Sequence, residues 1–306
     1  MSATTIRLAL IGANGMLATA IRKLAPAEYL IQRYDLPDFD LTSREQVFSL
    51  VECPPDIIIN CAAFTNVDGC EEQADLAMRV NGEGPGLLAE LAKEIDAVLV
   101  HISTDFVFDG TKESPYLEDD RPQPLSVYGK SKHLGEQQIL QSGLRQYFIV
   151  RTSWLYGSGG NNFVETMIRL ATDRPELKVV ADQRGTPTWT EDLARAIFAL
   201  LSLSPLTPHP SLVTAPYGIY HFSNEGACSW FDFASEIVAQ LRTTRAVKVE
   251  QLLPIPTEGY PLPAARPKYS VMSKDKIKQV TGLVIPDWQE SLKAYLGQRN
   301  SKEDFS

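Results

Sequence analysis

The chain has 306 residues, of which 29 are Lys or Arg and 38 are Asp or Glu, so its formal charge is -9. This length exceeds the size at which a single hydrophobic core usually stops growing, and one large or two moderate domains are expected. The acidic balance argues against nucleic acid as a partner, because sequence-independent binding of nucleic acid needs a basic surface.

The four cysteines, Cys53, Cys61, Cys70 and Cys228, lack the paired spacing of a metal site, and we expect them to be reduced thiols. The N-terminus has no basic region before a long apolar run, and no stretch reaches transmembrane length. We therefore expect a cytoplasmic protein without a membrane partner.

Short apolar runs alternate with helical patterns through the first half of the chain. Strands are predicted at residues 6–11, 30–34, 56–63, 97–103 and 147–151. Helices are predicted at residues 16–24, from 42 to about 51, at 72–94 with interruptions, and from 128. This alternation indicates an α/β fold, a Rossmann-like doubly wound parallel sheet whose ligands bind at the carboxyl ends of the strands.

Beyond Gly157 the helical patterns, at residues 163–171, 191–201 and 230–241, are separated by proline-rich connections at 204–216 and 254–267. We predict a dinucleotide-binding domain at residues 1–157 and a smaller C-terminal α/β substrate domain at 158–306, some of whose segments can return to the first domain. Residues 297–306 are expected to form a frayed polar tail.

A glycine turn follows the first predicted strand and opens a helix. Its glycines would let the backbone approach a pyrophosphate at the helix N-terminus, which favours a dinucleotide cofactor over an ordinary tight turn. The candidate cofactor-binding residues in this turn are Gly12, Asn14, Gly15, Met16 and Leu17.

The second predicted strand is followed by residues that bear on the choice of coenzyme. Asp35 can hold a ribose hydroxyl, whereas Arg33 can accommodate a 2′-phosphate, so the preference between NADH and NADPH stays open. Asp40 and Leu41 can bracket the adenine, although an aspartate before a helix also serves as a cap.

Tyr128 and Lys132 stand four residues apart in a predicted helix, so their side chains share one face. The same spacing also occurs by chance in surface helices. In a site, a nearby ammonium is expected to lower the phenol pKa from about 10 toward neutral pH, making Tyr128 a general acid or base. Thr104 and Asp105 end the fourth predicted strand at the same crevice; Thr104 can bind a substrate oxygen, and Asp105 can bind substrate or cap a turn.

The order and spacing of several motifs resemble those of the extended short-chain dehydrogenase/reductases, and more closely the dTDP-4-dehydrorhamnose reductases. Besides the glycine turn, the matching motifs are residues 60–68, 103–110, 128–132, 151–157, 161–163, 182–188 and 261–267. The resemblance covers about residues 6 to 296. It implies reduction of the C4 ketone of a dTDP-sugar, dTDP-4-dehydro-L-rhamnose, to dTDP-L-rhamnose with NADPH or NADH.

The resemblance also implies roles for single residues. Tyr128 would protonate the C4 oxygen, Thr104 would orient that oxygen, and Lys132 would hold the nicotinamide ribose and tune Tyr128. Asp105 and Trp154 would contact the sugar, and Arg266 the diphosphate, unless Arg266 is simply an exposed arginine in a proline-rich loop. The remaining cofactor contacts would come from Ala62, Ala63, Phe64 and Thr65.

Departures and alternatives remain. Some members of the family form magnesium-bridged dimers through carboxylates; Glu191 can match one, but Ala20 stands where those members have an acid. We therefore expect no metal site, in a monomer or a homodimer.

The alternatives are a non-catalytic NAD(P)-binding regulatory subunit like that of methionine adenosyltransferase, and a reductase of another dTDP-4-keto-6-deoxy sugar. A dehydratase or epimerase is a third, although Phe106 replaces the glutamate that dehydratases carry.

Overall fold

The computed structural model describes residues 5–204 and 216–303. Its strands are β1 (Ile6–Ile11), β2 (Tyr29–Tyr34), β3 (Ile57–Asn60), β4 (Val98–Thr104), β5 (Tyr147–Thr152), β6 (Leu155–Tyr156), β7 (Glu176–Val180), β8 (Arg184–Gly185), β9 (Thr188–Trp189), β10 (Gly218–His221), β11 (Cys228–Ser229) and β12 (Gln251–Ile255). Its helices are α1 (Met16–Leu24), α2 (Arg44–Phe48), α3 (Val67–Glu72), α4 (Ala74–Ala77), α5 (Gly84–Glu94), α6 (Val127–Gln141), α7 (Phe163–Asp173), α8 (Thr190–Leu201), α9 (Trp230–Thr244), α10 (Asp275–Thr281) and α11 (Trp288–Glu303).

The main sheet is parallel, with strand order β10-β5-β4-β3-β1-β2, which confirms the predicted fold class. The chain leaves β1 for β2 on one side and returns to β3 on the other, so the strand order reverses between β1 and β3. A crevice at the carboxyl ends of the strands is expected at such a reversal. Every residue of β3 and all but one of β4 are buried, as in strands covered on both faces.

A second core lies mainly beyond residue 150. It is formed by α7, α9, α11 and short strands, of which β7 and β12 pair in parallel. Two later segments belong instead to the first layers, because β10 is an edge strand of the main sheet and α8 packs on α1. The division at residue 157 stays a prediction. The proline-rich connection at 204–216 lies almost wholly outside the described residues.

The region predicted as an interrupted helix at residues 72–94 is divided in two places. Gln73 separates α3 from α4, and a π-helical turn, Met78–Glu83, joins α4 to α5. Gly82 and Gly84 lie against Leu134 and Leu41, where any Cβ atom would meet those side chains at less than 3 Å. The glycines therefore permit close packing here, and the local widening of the helix is a feature often found at functional sites.

The prediction of a frayed polar tail from residue 297 is wrong, because α11 continues to Glu303. An ion pair and a hydrogen bond hold this polar segment: Arg299 Nε donates to both oxygens of Glu165, at 2.9 and 3.1 Å, and Lys23 Nζ donates to Gln298 Oε1 at 2.9 Å. Polarity alone did not reveal these partners. In the described ranges, no helix is both long and apolar enough to cross a membrane.

Candidate active site

The glycine turn brings the ends of β1 and β3 into close contact. Gly12 has φ = +75°, a conformation that L side chains rarely adopt, and a Cβ atom there would lie 2.5 Å from the backbone nitrogen of Ala62. Ala62 is itself fixed, since its N–H donates to Asn60 Oδ1 at 3.0 Å. The turn therefore requires glycine both for its conformation and for its proximity to the neighbouring strand end.

The start of α1 is suited to an anion. Gly15 is the N-cap, no side chain caps the helix, and its first turn carries no acidic residue. Backbone N–H groups at such a terminus attract a pyrophosphate. Asn14 and Gly15 are exposed at the turn, Met16 is half-buried beside Gly160, and Leu17 is a core residue. These residues fit a dinucleotide, with Leu17 acting through packing.

Arg33 and Asp35 lie beside the glycine turn and are linked to Asn14. Arg33 Nη2 donates to Asn14 Oδ1 at 2.9 Å, while Asp35 Oδ2 accepts the Asn14 backbone N–H at 2.7 Å. The other oxygen of Asp35 accepts the N–H of Leu36 at 2.8 Å. The carboxylate therefore already has two backbone partners, whereas the guanidinium is exposed at the edge of the turn.

Asp40 and Leu41 occupy different environments. Asp40 Oδ1 accepts both the backbone N–H and the hydroxyl of Thr42 at 2.8 Å, so it closes a local turn, while the N-cap of α2 is Ser43. Leu41 is buried in the core and packs against Gly84. Their contact with adenine stays a prediction.

The segment after β3 is held in place by Asn81, a residue that the sequence analysis missed. Asn81 Oδ1 accepts the N–H of Phe64 at 2.8 Å, and its Nδ2 donates to Phe64 O and Ser131 Oγ, both at 3.0 Å. Asn81 lies in the π-helical turn and is fully buried. It therefore connects the predicted cofactor-binding strand end, including Ala63 and Thr65, to the Tyr128 helix. The glycines that interrupt the predicted helix just after Asn81 were the sequence feature that could have indicated this turn.

Tyr128 stands in the first turn of α6, next to the end of β4. Ser126 caps the helix by accepting the N–H of Gly129 at 3.2 Å. A Cβ atom at Gly129 would overlap the carbonyl oxygen of Phe106, so glycine allows the helix to approach the turn after Thr104. The ring of Phe106 packs edge-on against that of Tyr128, with centroids 5.5 Å apart. Tyr128 and Thr104 are brought together as predicted.

The predicted effect of Lys132 on Tyr128 is not what the structure shows. Burial raises the pKa of the phenol well above 10; hydrogen bonding with Thr104 opposes this, and the charges that act on the phenol are those of Asp105 and Cys70. Lys132 instead donates from Nζ to the backbone oxygen of Ile102 at 2.7 Å. In the ligand-free protein Tyr128 is therefore a protonated phenol, suited to giving a proton.

Asp105 is buried beside Thr104, whose hydroxyl donates to Asp105 Oδ1 at 3.1 Å. Burial raises the pKa of Asp105 to about 6, although hydrogen bonds from Ser270 and Thr104 lower it. The same residue begins the short 3₁₀ turn Asp105–Val107. Both roles considered for Asp105, turn residue and candidate ligand contact, are compatible with this position.

Glu136 extends the functional face of α6 by one more turn, and the sequence analysis missed it. Tyr128, Lys132 and Glu136 are spaced four residues apart, and Glu136 is completely buried. It accepts hydrogen bonds from Ser103 Oγ at 2.5 Å and from Arg151 at 2.7 and 2.8 Å. The helix is thereby anchored to β4 and β5 beneath the site.

Trp154 follows the carboxyl end of β5 in a strained conformation, with φ = +45°. Its ring stacks on Trp230 with centroids 3.6 Å apart, and a Cβ atom at Gly185 would meet its indole at 2.6 Å. Non-glycine residues held at positive φ cluster at functional sites. Trp154 therefore remains a candidate sugar contact, now with Trp230 beside it.

Arg266 is already engaged. Its Nη1 and Nη2 each donate to one oxygen of Asp68 at 2.7 Å, and Asp68 also accepts the backbone N–H of Ala264 at 3.1 Å. These bonds lower the pKa of Asp68. The pair joins the 261–267 loop to α3, close to the strand end that carries Thr65. The alternative of a simply exposed arginine does not apply.

Glu191, the residue considered for a metal, is paired with cations. Its carboxylate lies 2.5 Å from Lys23 Nζ and 3.2 Å from Arg195 Nη2. Ala20 is buried in the core. Within residues 5–204 and 216–303, no group of three or more His, Cys, Asp or Glu side chains is arranged to hold a metal ion.

The described chain therefore places a helix terminus suited to an anion and a buried, protonated phenol at the carboxyl edge of the same parallel sheet. An acid beside a dinucleotide site can protonate an oxygen as a neighbouring carbon is reduced. The contacts that position the acid come from Thr104, Gly129 and the anchored helix α6.

Comparisons with known proteins agree with this arrangement. The family model described as RmlD substrate binding domain matches residues 6–301. A dTDP-4-dehydrorhamnose reductase of Burkholderia thailandensis is 38% identical over 288 residues, which cover 93% of this chain and 96% of that protein. The spore coat polysaccharide biosynthesis protein SpsK of Bacillus subtilis is 41% identical over 295 residues, 96% of this chain and 98% of that protein.

Solved structures give the same result. A dTDP-4-dehydrorhamnose reductase of Bacillus anthracis, crystallised in complex with NADP, superposes with a TM-score of 0.88 at 42% identity. The superposition covers 96% of this chain and 99% of that one.

Proposed function

Because the chain belongs to the RmlD substrate binding domain family, which includes dTDP-4-dehydrorhamnose reductases, we propose that it reduces the C4 ketone of dTDP-4-dehydro-L-rhamnose to dTDP-L-rhamnose. The reductases of this family are NAD(P)H-dependent oxidoreductases. The observation that carries the proposal is the protonated phenol of Tyr128 beside Thr104, at the edge of the sheet that bears the glycine turn.

The chain's own residues divide the work between binding and proton transfer. Gly12, Gly15 and the first N–H groups of α1 would hold the pyrophosphate. The bound reduced nicotinamide supplies a hydride to the C4 carbon. Thr104 orients the C4 oxygen, and the phenolic proton of Tyr128 moves to that oxygen as it takes the electron pair of the C=O π bond. Tyr128 then recovers a proton from solvent.

Substrate contacts complete the proposal. Asp105 and Trp154 would contact the sugar, and Arg266 would bind the diphosphate after exchanging Asp68 for it. A guanidinium suits this task because its parallel N–H groups match carboxylate and phosphate oxygens alike. Lys132 would hold the nicotinamide ribose.

Turnover with a defined substrate tests the proposal. We expect NADPH or NADH to be consumed only when dTDP-4-dehydro-L-rhamnose is present, and NMR of the product to identify dTDP-L-rhamnose. A different deoxysugar product would identify a reductase of another substrate or stereochemistry. Absence of turnover with several dTDP-4-keto-6-deoxy sugars, with nicotinamide binding retained, would favour the regulatory subunit.

The role of Tyr128 has its own test. Loss of a general acid typically costs 10² to 10⁴ in rate, so Tyr128→Phe should lower kcat roughly 100-fold or more. The matched control is Tyr260→Phe, because Tyr260 is 57% exposed and is not among the predicted site residues. Equal activity of the two variants would remove Tyr128 as the proton donor.

A further inference from the structure

Lys132 Nζ has a second neighbour that the proposed reaction does not use. Besides the backbone oxygen of Ile102, it lies 3.3 Å from Nε2 of His101. His101 is fully buried in β4, and its other ring nitrogen, Nδ1, lies 3.1 Å from Asn60 Nδ2. Asn60, His101 and Lys132 therefore form a buried line of side chains that runs from β3 through β4 to α6.

The orientation of the Asn60 amide is fixed by the backbone. The N–H of Ala62 can only donate, and its acceptor is Asn60 Oδ1 at 3.0 Å. The amide nitrogen must then face His101 Nδ1, which has to accept a hydrogen bond and therefore carries no proton. Burial lowers the pKa of His101 well below 6.5, so the ring is neutral. A neutral imidazole without a proton on Nδ1 carries it on Nε2.

This tautomer determines whether His101 Nε2 presents an N–H or a lone pair to Lys132 Nζ. The N–H at Nε2 points toward Lys132 Nζ, and an ammonium there would place two donors against each other. A neutral amine has a lone pair that accepts this hydrogen bond, while its own N–H still donates to Ile102. We propose that Asn60 and His101 are positioning residues that present an N–H to Lys132 and so favour its neutral amine in the cofactor-free protein.

The other titratable groups around Lys132 do not override this arrangement. From α6, the charge of Glu136 favours the ammonium, but both oxygens of Glu136 are bound to Arg151. After β3, Cys61 is a neutral thiol, since burial raises its pKa to about 12. Tyr128 is a neutral phenol for the same reason. The outcome is a Lys132 pKa lowered by burial to about 8.

The inference deepens the proposed function and rests on it for its catalytic meaning. The neutral form of Lys132, which a pKa of about 8 makes accessible close to neutral pH, does not draw the proton from Tyr128 before the substrate arrives. When Tyr128 has given its proton to the substrate oxygen, the amine can take a proton from solvent, and the resulting ammonium stabilises the phenolate. Asn60 and His101 would therefore set the protonation state from which the reaction begins.

The first test is direct and independent of turnover. NMR of protein labelled with ¹⁵N in its histidines, of which there are four, distinguishes the two neutral tautomers, and His101→Gln identifies the signals of His101. We expect a proton on Nε2 of His101 in the cofactor-free protein near neutral pH. A proton on Nδ1, or a charged ring, would overturn the inference, whether or not the protein reduces the proposed sugar.

The second test reverses the tautomer. In Asn60→Asp, one carboxylate oxygen can still accept the Ala62 N–H, while the other requires a proton on His101 Nδ1. Nε2 then offers a lone pair to Lys132 and favours its ammonium. The acidic limb of the pH profile of kcat/KM for the coenzyme, which reports groups of the free enzyme, should move upward by about one pH unit, which corresponds to a tenfold change in the Lys132 equilibrium.

A double-mutant cycle separates this effect from the added charge. In a His101→Gln background only the charge remains, so Asn60→Asp should move the profile distinctly less. Asn66→Asp at the N-cap of α3 is the control for an Asn to Asp change, and it should not move the profile. Equal shifts in both backgrounds would contradict a role for His101. If Asn60→Asp does not fold, the NMR measurement still decides.

Discussion

Glu136 and Arg151 form a bidentate ion pair in the interior, directly beneath the helix that carries Tyr128. Arg151 Nε and Nη2 donate to the two carboxylate oxygens at 2.8 and 2.7 Å, and neither side chain is more than 2% exposed. Arg151 also lies 3.4 Å from the ring of His221. The pair therefore fixes α6 to β5 through charges that have no access to water.

The first prediction concerns this pair. Glu136→Gln leaves the buried guanidinium of Arg151 without a counter-charge, and breaking such a pair typically costs about 3 to 5 kcal/mol. Urea denaturation should show a loss of that size. Glu90→Gln is the matched control, because the Glu90 pair with Arg44 is at least half exposed and worth about 0 to 1 kcal/mol. Equal losses in the two variants would contradict the role of Glu136.

Local sequence patterns were sufficient to predict part of this site. The glycine turn, the end of β4 and the spacing of Tyr128 and Lys132 are short-range features, and the structure brings all of them to one edge of the sheet. Asn81 and Glu136 escaped prediction because their partners are far away in the chain: Asn81 bonds Phe64 and Ser131, and Glu136 bonds Arg151. Local periodicity does not encode such contacts.

The direction of the Tyr128 pKa shift shows a second limit of prediction from the sequence. Spacing placed an ammonium on the same helical face and predicted a lowered phenol pKa. The extent of burial is a property of the whole fold, and here it raises the pKa instead. The direction in which Lys132 points also depends on β4, through Ile102 and His101.

The second prediction concerns the closeness of α6 to the turn after β4. Gly129→Ala would drive a methyl group into the backbone oxygen of Phe106 and push Tyr128 away from Thr104. We expect kcat to fall at least tenfold, since small displacements of catalytic groups are costly. Gly297→Ala, in α11, meets nothing within 4 Å and should stabilise the helix by up to about 1 kcal/mol without loss of activity. Full activity of Gly129→Ala would show that the helix can shift without consequence.

The third prediction follows from the buried carboxyl of Asp105, whose pKa is raised to about 6 from 3.8. Between these values the folded protein binds more protons than the unfolded chain, so stability falls as the pH rises through 6. Asp105→Asn removes this dependence and should be more stable than wild type by about 3 kcal/mol at pH 7, but not at pH 4. Denaturation at both pH values measures it. A constant difference would contradict the raised pKa, and reduced activity is expected alongside.

The fourth prediction concerns the coenzyme. Both oxygens of Asp35 already accept backbone N–H groups, whereas the guanidinium of Arg33, exposed and bonded to Asn14 through Nη2, can also meet a 2′-phosphate. We expect NADPH to be preferred. A charge-assisted hydrogen bond is worth about 1.5 to 3 kcal/mol, so Arg33→Ala should raise KM for NADPH roughly tenfold or more and leave KM for NADH nearly unchanged. Arg174→Ala, at the exposed end of α7, is the control. Parallel changes for both coenzymes would contradict the assignment.

The last prediction concerns the two partners proposed for Arg266. Both terminal nitrogens of the guanidinium are bound to Asp68, and a diphosphate must compete with that carboxylate. Asp68→Asn removes the negative charge that competes with the diphosphate for Arg266, while the size of the side chain is kept. If Arg266 binds the diphosphate, KM for the sugar nucleotide should fall severalfold in Asp68→Asn and rise at least tenfold in Arg266→Ala.

Asp275→Asn is the control, because Asp275 is exposed and pairs with Lys278 within α10, whereas Asp68 belongs to α3. An unchanged or higher KM in Asp68→Asn would mean that the pair serves to hold the 261–267 loop rather than to prepare Arg266. If KM rises in both variants, the binding of Arg266 to Asp68 is itself required for substrate affinity.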